Sequence, residues 1–180
     1  MKERADDNYI AGLIKADPAK GFRLLVEKYS SKLYWHIRRL VVIHEDADDA
    51  LQNTFIKCWK NIGGFRNESA LYTWLYSIAT NEALMLIRKR NQLAETNVED
   101  MAGVFANSPE GDTWFDGDEA EMLLQNAIQK LPEKQRTVFL LRYYDELTYE
   151  EIGEITGTSV GALKASYSIA AKKIEKIITA

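Results

Sequence analysis

LTYEEIGEITGTSVGALKASYSIAAKKIEKI, residues 147–177, is the stretch whose spacing decides the fold. Thr148 and Glu151 stand three residues apart as a capping box, each able to satisfy an amide at the start of a short helix. Ile152 and Ile155 form the inward side of that helix, and Gly157 is placed to stop it. Thr158 and Ser159 then cap a longer helix, with Val160, Leu163, Tyr167, Ala170, Ile174 and Ile177 inward. A short helix, a turn of about four residues containing glycine, and a longer helix make the helix-turn-helix pattern.

The helical reading extends upstream. Asp118 and Glu121 resemble a second capping box, followed by Leu123, Leu124, Ala127 and Ile128 at helical spacing. Leu131-Pro132 opens another helix carrying Val138, Phe139, Leu141 and Tyr143. From 93 to 117 the periodicity fails. That segment is acidic, contains Gly103, Ser108-Pro109 and Gly111, and reads as a flexible linker. Val104, Phe105, Trp114 and Phe115 within it suggest that part of it docks on something.

Before the linker, Asp17-Pro18 starts a helix with Phe22, Leu25, Val26, Tyr29, Leu33, Ile37, Leu40 and Val41 along one face. A second start at Asp46 leads into Ala47, Ala50, Leu51, Phe55, Cys58, Trp59 and Ile62, and Gly63-Gly64 breaks that helix. After the loop at Phe65–Glu68, Ser69 caps a helix that turns Leu71, Leu75, Ile78, Ala79, Met85 and Leu86 inward and closes on Arg88-Lys89-Arg90. The expected fold is all-α, with helical domains over 1–92 and 118–180 and a flexible acidic linker over 93–117.

Composition narrows the function. No run of about 18 uninterrupted apolar residues exists, so no membrane insertion is expected, and the N-terminus has no apolar segment of a signal peptide. A single cysteine, Cys58, excludes an intramolecular disulfide and fits a reducing, cytoplasmic location. The net charge of −4 argues against a free-standing DNA binder that works mainly by charge. The average conceals an asymmetry: between Asn91 and Gln129 there is no Lys or Arg but nine carboxylates, and the remainder is mildly basic.

Three faces are candidates for recognition. On the last helix, Gly161, Lys164, Ala165, Ser168, Ile169 and Lys172 point outward, and a small, mildly basic face of this kind can enter a major groove. A bundle whose surface happens to carry lysines fits the same helix. In FRNESALYTWLYSIATN, residues 65–81, the aromatics Phe65, Tyr72, Trp74 and Tyr76 interleave with Arg66, Asn67 and Asn81, a combination suited to single-stranded DNA. Simple core placement of Tyr72 and Trp74 is the commoner fate of such residues. On the second helix, Asp48, Asp49, Gln52, Asn53, Ile56 and Lys60 form a polar face with one apolar residue, either a solvated surface or a protein-docking one. Carboxylates in its first turn suit the helix dipole without any metal.

Nothing points to catalysis. His36 and His44 lack acidic or thiol partners at ligand spacing and read as surface or helix-end residues. Cys58 reads as a buried, inert thiol. No catalytic, metal or cofactor site is expected.

Taken together and in order, three motifs carry a resemblance. Asp46–Trp59 (DADDALQNTFIKCW) resembles region 2.2 of the extracytoplasmic-function sigma factors of the sigma-70 family. Phe65–Asn81, centred on Tyr72-Thr73-Trp74-Leu75-Tyr76, is similar to their regions 2.3 and 2.4, and Leu131–Lys173 is similar to region 4. The resemblance implies a sigma factor that directs core RNA polymerase to promoters and aids melting. It implies docking of Asp49, Gln52, Asn53 and Ile56 on the β′ clamp helices, with region 4 meeting the β flap. It also implies minus-ten contacts from Phe65, Arg66, Asn67, Glu68, Ser69 and Asn81, and minus-35 contacts from Lys164, Ala165, Ser168, Ile169 and Lys172. An anti-sigma factor is the further implied partner.

Two departures stand out. Asn53 occupies a position where the family usually has Glu, and Ser166 and Ile169 stand where relatives often carry Arg. The minus-35 contact is therefore expected to be less electrostatic. A stand-alone helix-turn-helix regulator and a pure adaptor are the alternative readings.

Overall fold

A computed structural model describes residues 7–65, 70–96 and 119–179, and every regular element among them is helical. The Asp17 carboxylate accepts the Lys20 amide at 3.1 Å between α1 (Asp7–Ala16) and α2 (Pro18–Val41), and Pro18 takes the first helical position with its fixed φ. Val42 then turns the chain with φ of 70°, a region that β-branched residues rarely enter, and α3 (His44–Asn61) follows. A 3₁₀ turn over Ile62–Gly64 precedes α4 (Leu71–Thr96). The second half comprises α5 (Glu119–Gln129), α6 (Glu133–Tyr143), α7 (Tyr149–Thr156) and α8 (Val160–Ile178).

In the first module α2 packs against α1, α3 and α4, and α3 lies along α4. Ile10, Leu25, Leu33, Ile37, Ala47, Ala50, Leu75 and Ala79 are buried there. In the second module α8 packs against α5, α6 and α7 around Ile128, Leu140, Leu141, Ile152 and Leu163. Each such Leu or Ile contributes about 1.5–3 kcal/mol on burial. The two modules also touch, α4 against α7 and α2 against α6.

Several sequence expectations are corrected. α3 begins at His44, two residues before Asp46, and α4 continues past Arg88–Arg90 to Thr96. Met85 was expected inward, and Trp59, Leu123 and Tyr143 were read into apolar sets at helical spacing; all four are about half exposed. For Met85 the reason is geometric. Helix α4 is packed by α2, α3 and α7, so its buried arc runs through Leu71, Tyr76, Ala79, Thr80, Ala83 and Ile87. What remains for solvent is the stripe Trp74, Asn81 and Met85. His36 is no surface residue: it is completely buried, because its two ring nitrogens meet partners inside the protein. Cys58 is buried as expected, and burial pushes its thiol up to about 12. The linker aromatics, Asp118 and the cap expected at Ser69 lie outside the described residues.

Helices α1 and α2 meet closely at Gly21, where an added Cβ would sit 2.6 Å from the Ile14 backbone nitrogen. The obstacle is backbone, so no side-chain rotation relieves it. Gly21→Val should lower stability by about 1–3 kcal/mol in urea unfolding. Unchanged stability would show that α1 is not held against α2 at this point.

Candidate polymerase and nucleic-acid interfaces

Helix α3 sorts its residues cleanly. Ala47, Ala50, Thr54 and Cys58 are buried, and Thr54 returns its hydroxyl to the Ala50 carbonyl at 2.7 Å. Asp49, Gln52, Asn53 and Ile56, at spacings of three and four, share the exposed side. Trp59 continues this side, one heptad beyond Gln52, with its ring 5.1 Å from Phe22. Its spacing from Gln52 was the signal that could have placed it there. The first-turn carboxylates have ordinary partners: Asp46 pairs with Arg90 at 2.9 Å and Asp48 with His44 at 3.3 Å. Among the described residues no group of three or more His, Cys, Asp or Glu could hold a metal ion.

Around the start of α4 the aromatic residues divide. Phe65 is buried and its ring lies 5.1 Å from Trp74, which is partly exposed. Asn81 is exposed on the same stripe as Trp74. Arg66, Asn67, Glu68 and Ser69 lie outside the described residues. On another side of α4, Tyr72 donates to Glu151 of α7, and Tyr76 donates to Asp145 at 3.5 Å. Burial, and then the Asp145 carboxylate, push the Tyr76 hydroxyl well above the usual tyrosine range. Of the two readings of the aromatic run, core placement therefore describes Tyr76, while Tyr72 and Trp74 are only partly buried.

The helix-turn-helix has the local chemistry its sequence implied. Glu151 N–H donates to the Thr148 hydroxyl at 3.2 Å, and Thr148 N–H donates to the Glu151 carboxylate at 2.7 Å. Gly157 ends α7 with φ of 67°, the left-handed conformation that glycine enters freely. Ser159 then accepts the Ala162 amide at 3.4 Å. A residue the spacing did not flag is Gly153, where a Cβ would lie 3.1 Å from the Thr158 carbonyl, so the turn folds tightly over α7. Leu163, Ala170 and Ile174 anchor α8, and Lys164, Ala165, Ser168, Ile169 and Lys172 are all exposed. Lys164 lies 5.8 Å from the centre of the Tyr149 ring, which places its charge near the mouth of the turn.

A helical bundle bearing two solvent-facing stripes, followed by a helix-turn-helix, defines a nucleic-acid-recognition protein built from two modules. Comparison with known proteins gives the particular family. The model of sigma-70 region 2 matches residues 25–92, and that of sigma-70 region 4 matches residues 121–174. The RNA polymerase sigma-H factor of Pseudomonas aeruginosa is 32% identical over 99% of this chain and 96% of its own length. The ECF RNA polymerase sigma-E factor of Haemophilus influenzae is 32% identical, covering 99% of this chain and 98% of that protein. Among solved structures, the sigma factor RpoE of Bartonella quintana, in complex with the anti-sigma factor NepR, superposes with a TM-score of 0.75 at 26% identity, covering 89% of this chain and 98% of that one. The chain belongs to the sigma-70 family, in its extracytoplasmic-function group.

The reciprocal cap positions α7 for the whole second module. Thr148→Ala should cost about 1 kcal/mol of that module's stability, read as a lower thermal midpoint. A midpoint equal to wild type would mean that packing of Ile152 and Ile155 alone sets α7.

Proposed function

We propose that the exposed stripe of α3 docks on core RNA polymerase, that the start of α4 binds the unpaired minus-ten strand, and that α8 reads the minus-35 duplex. The observation that carries this reading is the order of the faces. One chain presents a mixed polar and apolar stripe, an aromatic and amide stripe, and a small basic stripe in the sequence order of sigma regions 2.2, 2.3–2.4 and 4.

The division of labour follows from chemistry. Asp49, Gln52 and Asn53 offer hydrogen bonds around the apolar Ile56, an arrangement suited to a protein surface. Trp74 supplies a stacking platform and Asn81 an amide for a base edge, with Phe65 supporting the platform from beneath. Arg66, Asn67, Glu68 and Ser69 complete the minus-ten set on the strength of their place in the motif. On α8, Lys164 and Lys172 supply charge, Ala165 and Ser168 allow close approach, and Ile169 offers an apolar contact for a thymine methyl.

Melting then follows from binding. Unstacking costs a few kcal/mol per step, and capture of the freed bases by α4 offsets it. The factor performs no bond-making of its own, since the polymerase supplies the catalytic centre. Such a protein acts in the cytoplasm, where the polymerase and promoter are, and the domains divide near residues 92 and 118. Its activity would be restrained by an anti-sigma factor, as the complex of the Bartonella quintana relative suggests.

Run-off transcription with core polymerase on a promoter library tests the function directly. A stand-alone regulator would footprint promoter DNA without polymerase and support no run-off. Gln52→Ala and Ile56→Asp should change stability by no more than about 0.5 kcal/mol, yet weaken capture of core polymerase in a pull-down. Normal capture by both variants would assign the stripe to solvent. Lys164→Ala should cost about 1–3 kcal/mol of promoter use at one base position. An equal loss on every sequence would reduce Lys164 to a phosphate contact.

A further inference from the structure

Helices α3 and α4 lie side by side, and each carries one of the two exposed stripes of the first module. Their buried arcs are rich in alanine, with Ala47 and Ala50 on α3 and Ala79 and Ala83 on α4. Small side chains let two helices approach but raise only shallow ridges, so they fix the separation of the axes better than the rotation of one helix about its own. A directional contact crosses this seam. The Lys57 ammonium of α3 donates to the Glu82 carboxylate of α4. The Lys57 side chain is half exposed and that of Glu82 is 4% exposed, so the lysine covers a carboxylate that lies inside the bundle. Lys57 is the partner of Glu82 among the described residues, and a buried carboxylate that loses its partner is strongly unfavourable.

Both residues sit at the border between a stripe and a buried arc. Lys57 follows Ile56 and lies one turn beyond Asn53, at the edge of the stripe assigned to polymerase. Glu82 follows Asn81 and lies three residues before Met85, at the edge of the stripe that presents Trp74 and Asn81. Each step along a helix turns about 100°, so the pair joins the flank of one stripe to the flank of the other. The same end of α3 is fastened a second time. Asn61 Nδ2 donates to the Lys57 carbonyl at 2.9 Å, and the turn that follows leads to Phe65, whose ring supports Trp74.

We propose that Glu82, held by Lys57, is a positioning residue for minus-ten recognition: the ion pair sets the rotation of α4 on α3 and so aims the Asn81 amide at a base edge. This rests on the assignment of α4 to the minus-ten strand. Glu82 is too deeply placed to meet DNA itself, so it acts through its exposed neighbour.

The test uses full-length protein loaded on core polymerase, with a labelled single-stranded oligonucleotide bearing the minus-ten sequence that the run-off library selects. Glu82→Met removes the charge and nearly keeps the volume, so its helix content and urea midpoint should equal or exceed those of wild type. Its affinity for core polymerase should stay within about twofold of wild type, while its affinity for the oligonucleotide falls about 3–10-fold. Lys57→Met added to Glu82→Met should cause no further loss, because the two groups act as a unit. Asn81→Ala weakens oligonucleotide binding by itself, and Glu82→Met added to it should likewise take nothing more away. A merely structural role for Glu82 would lower core affinity and add to the Asn81→Ala loss. Should Glu82→Met fold poorly, Glu82→Gln takes its place with the same expected direction. Additive losses with Asn81→Ala, or oligonucleotide binding equal to wild type in the folded variant, overturn the positioning role alone. A wild-type holoenzyme that binds the oligonucleotide no better than core polymerase does overturns the minus-ten assignment of α4, and the positioning role with it.

Discussion

A helix at the surface of a bundle must bury one face and keep another out of the core, and the arrangement of this protein follows from that constraint. α3 gives Ala47, Ala50, Thr54 and Cys58 to the interior, and the small size of the first two lets neighbouring helices approach closely. The opposite residues are then presented on a rigid support. α8 does the same with Leu163, Ala170 and Ile174. In both helices the apolar residues set the stability and the outward residues are free to specialise.

α4 is under a harder demand. It is packed by α2, α3 and α7, so it carries polar groups into buried positions, including Thr73, Thr80 and Glu82. Glu82 is paired with Lys57, and Thr80 with His36. Buried polar groups cost free energy unless partnered. These pairings make α4 a junction, responsive to whether its neighbours are in place, while Trp74 and Asn81 remain available to a ligand. One helix thus presents Trp74 and Asn81 on one side and forms the contact between the modules on another.

Electrostatics reinforce the division. The stretch from Asn91 to Gln129 holds nine carboxylates and no Lys or Arg while the rest of the chain taken together is mildly basic, so charge is segregated along the chain and its average of −4 conceals it. The basic face of α8 is modest, four lysines after Ser159 against Glu175. A face with so few cations gains little from counterion release alone.

Much of this was legible in local order. The Thr148–Glu151 box, the Gly157 stop and the Ser159 cap are short-range hydrogen-bond arrangements, encoded within three or four residues and formed as read. The outward stripes on α3 and α8 followed from helical periodicity, because each of those helices has a single buried arc. Periodicity failed on α4, which is packed from several sides: Met85 read as core, and only the neighbouring helices decide which arc is left to solvent. Trp59 of α3 read as core from its hydrophobicity, against its own spacing from Gln52. It was silent on His36. Its partner Asp145 is 109 residues away in sequence, and no local pattern reports a hydrogen bond that long-range packing creates. The sequence by itself thus determined the helices, the caps of α7 and α8 and the outward stripes of α3 and α8. The tertiary structure alone decided which polar groups are buried together and how the modules meet, because burial depends on every element that surrounds a residue and not on its chain neighbours.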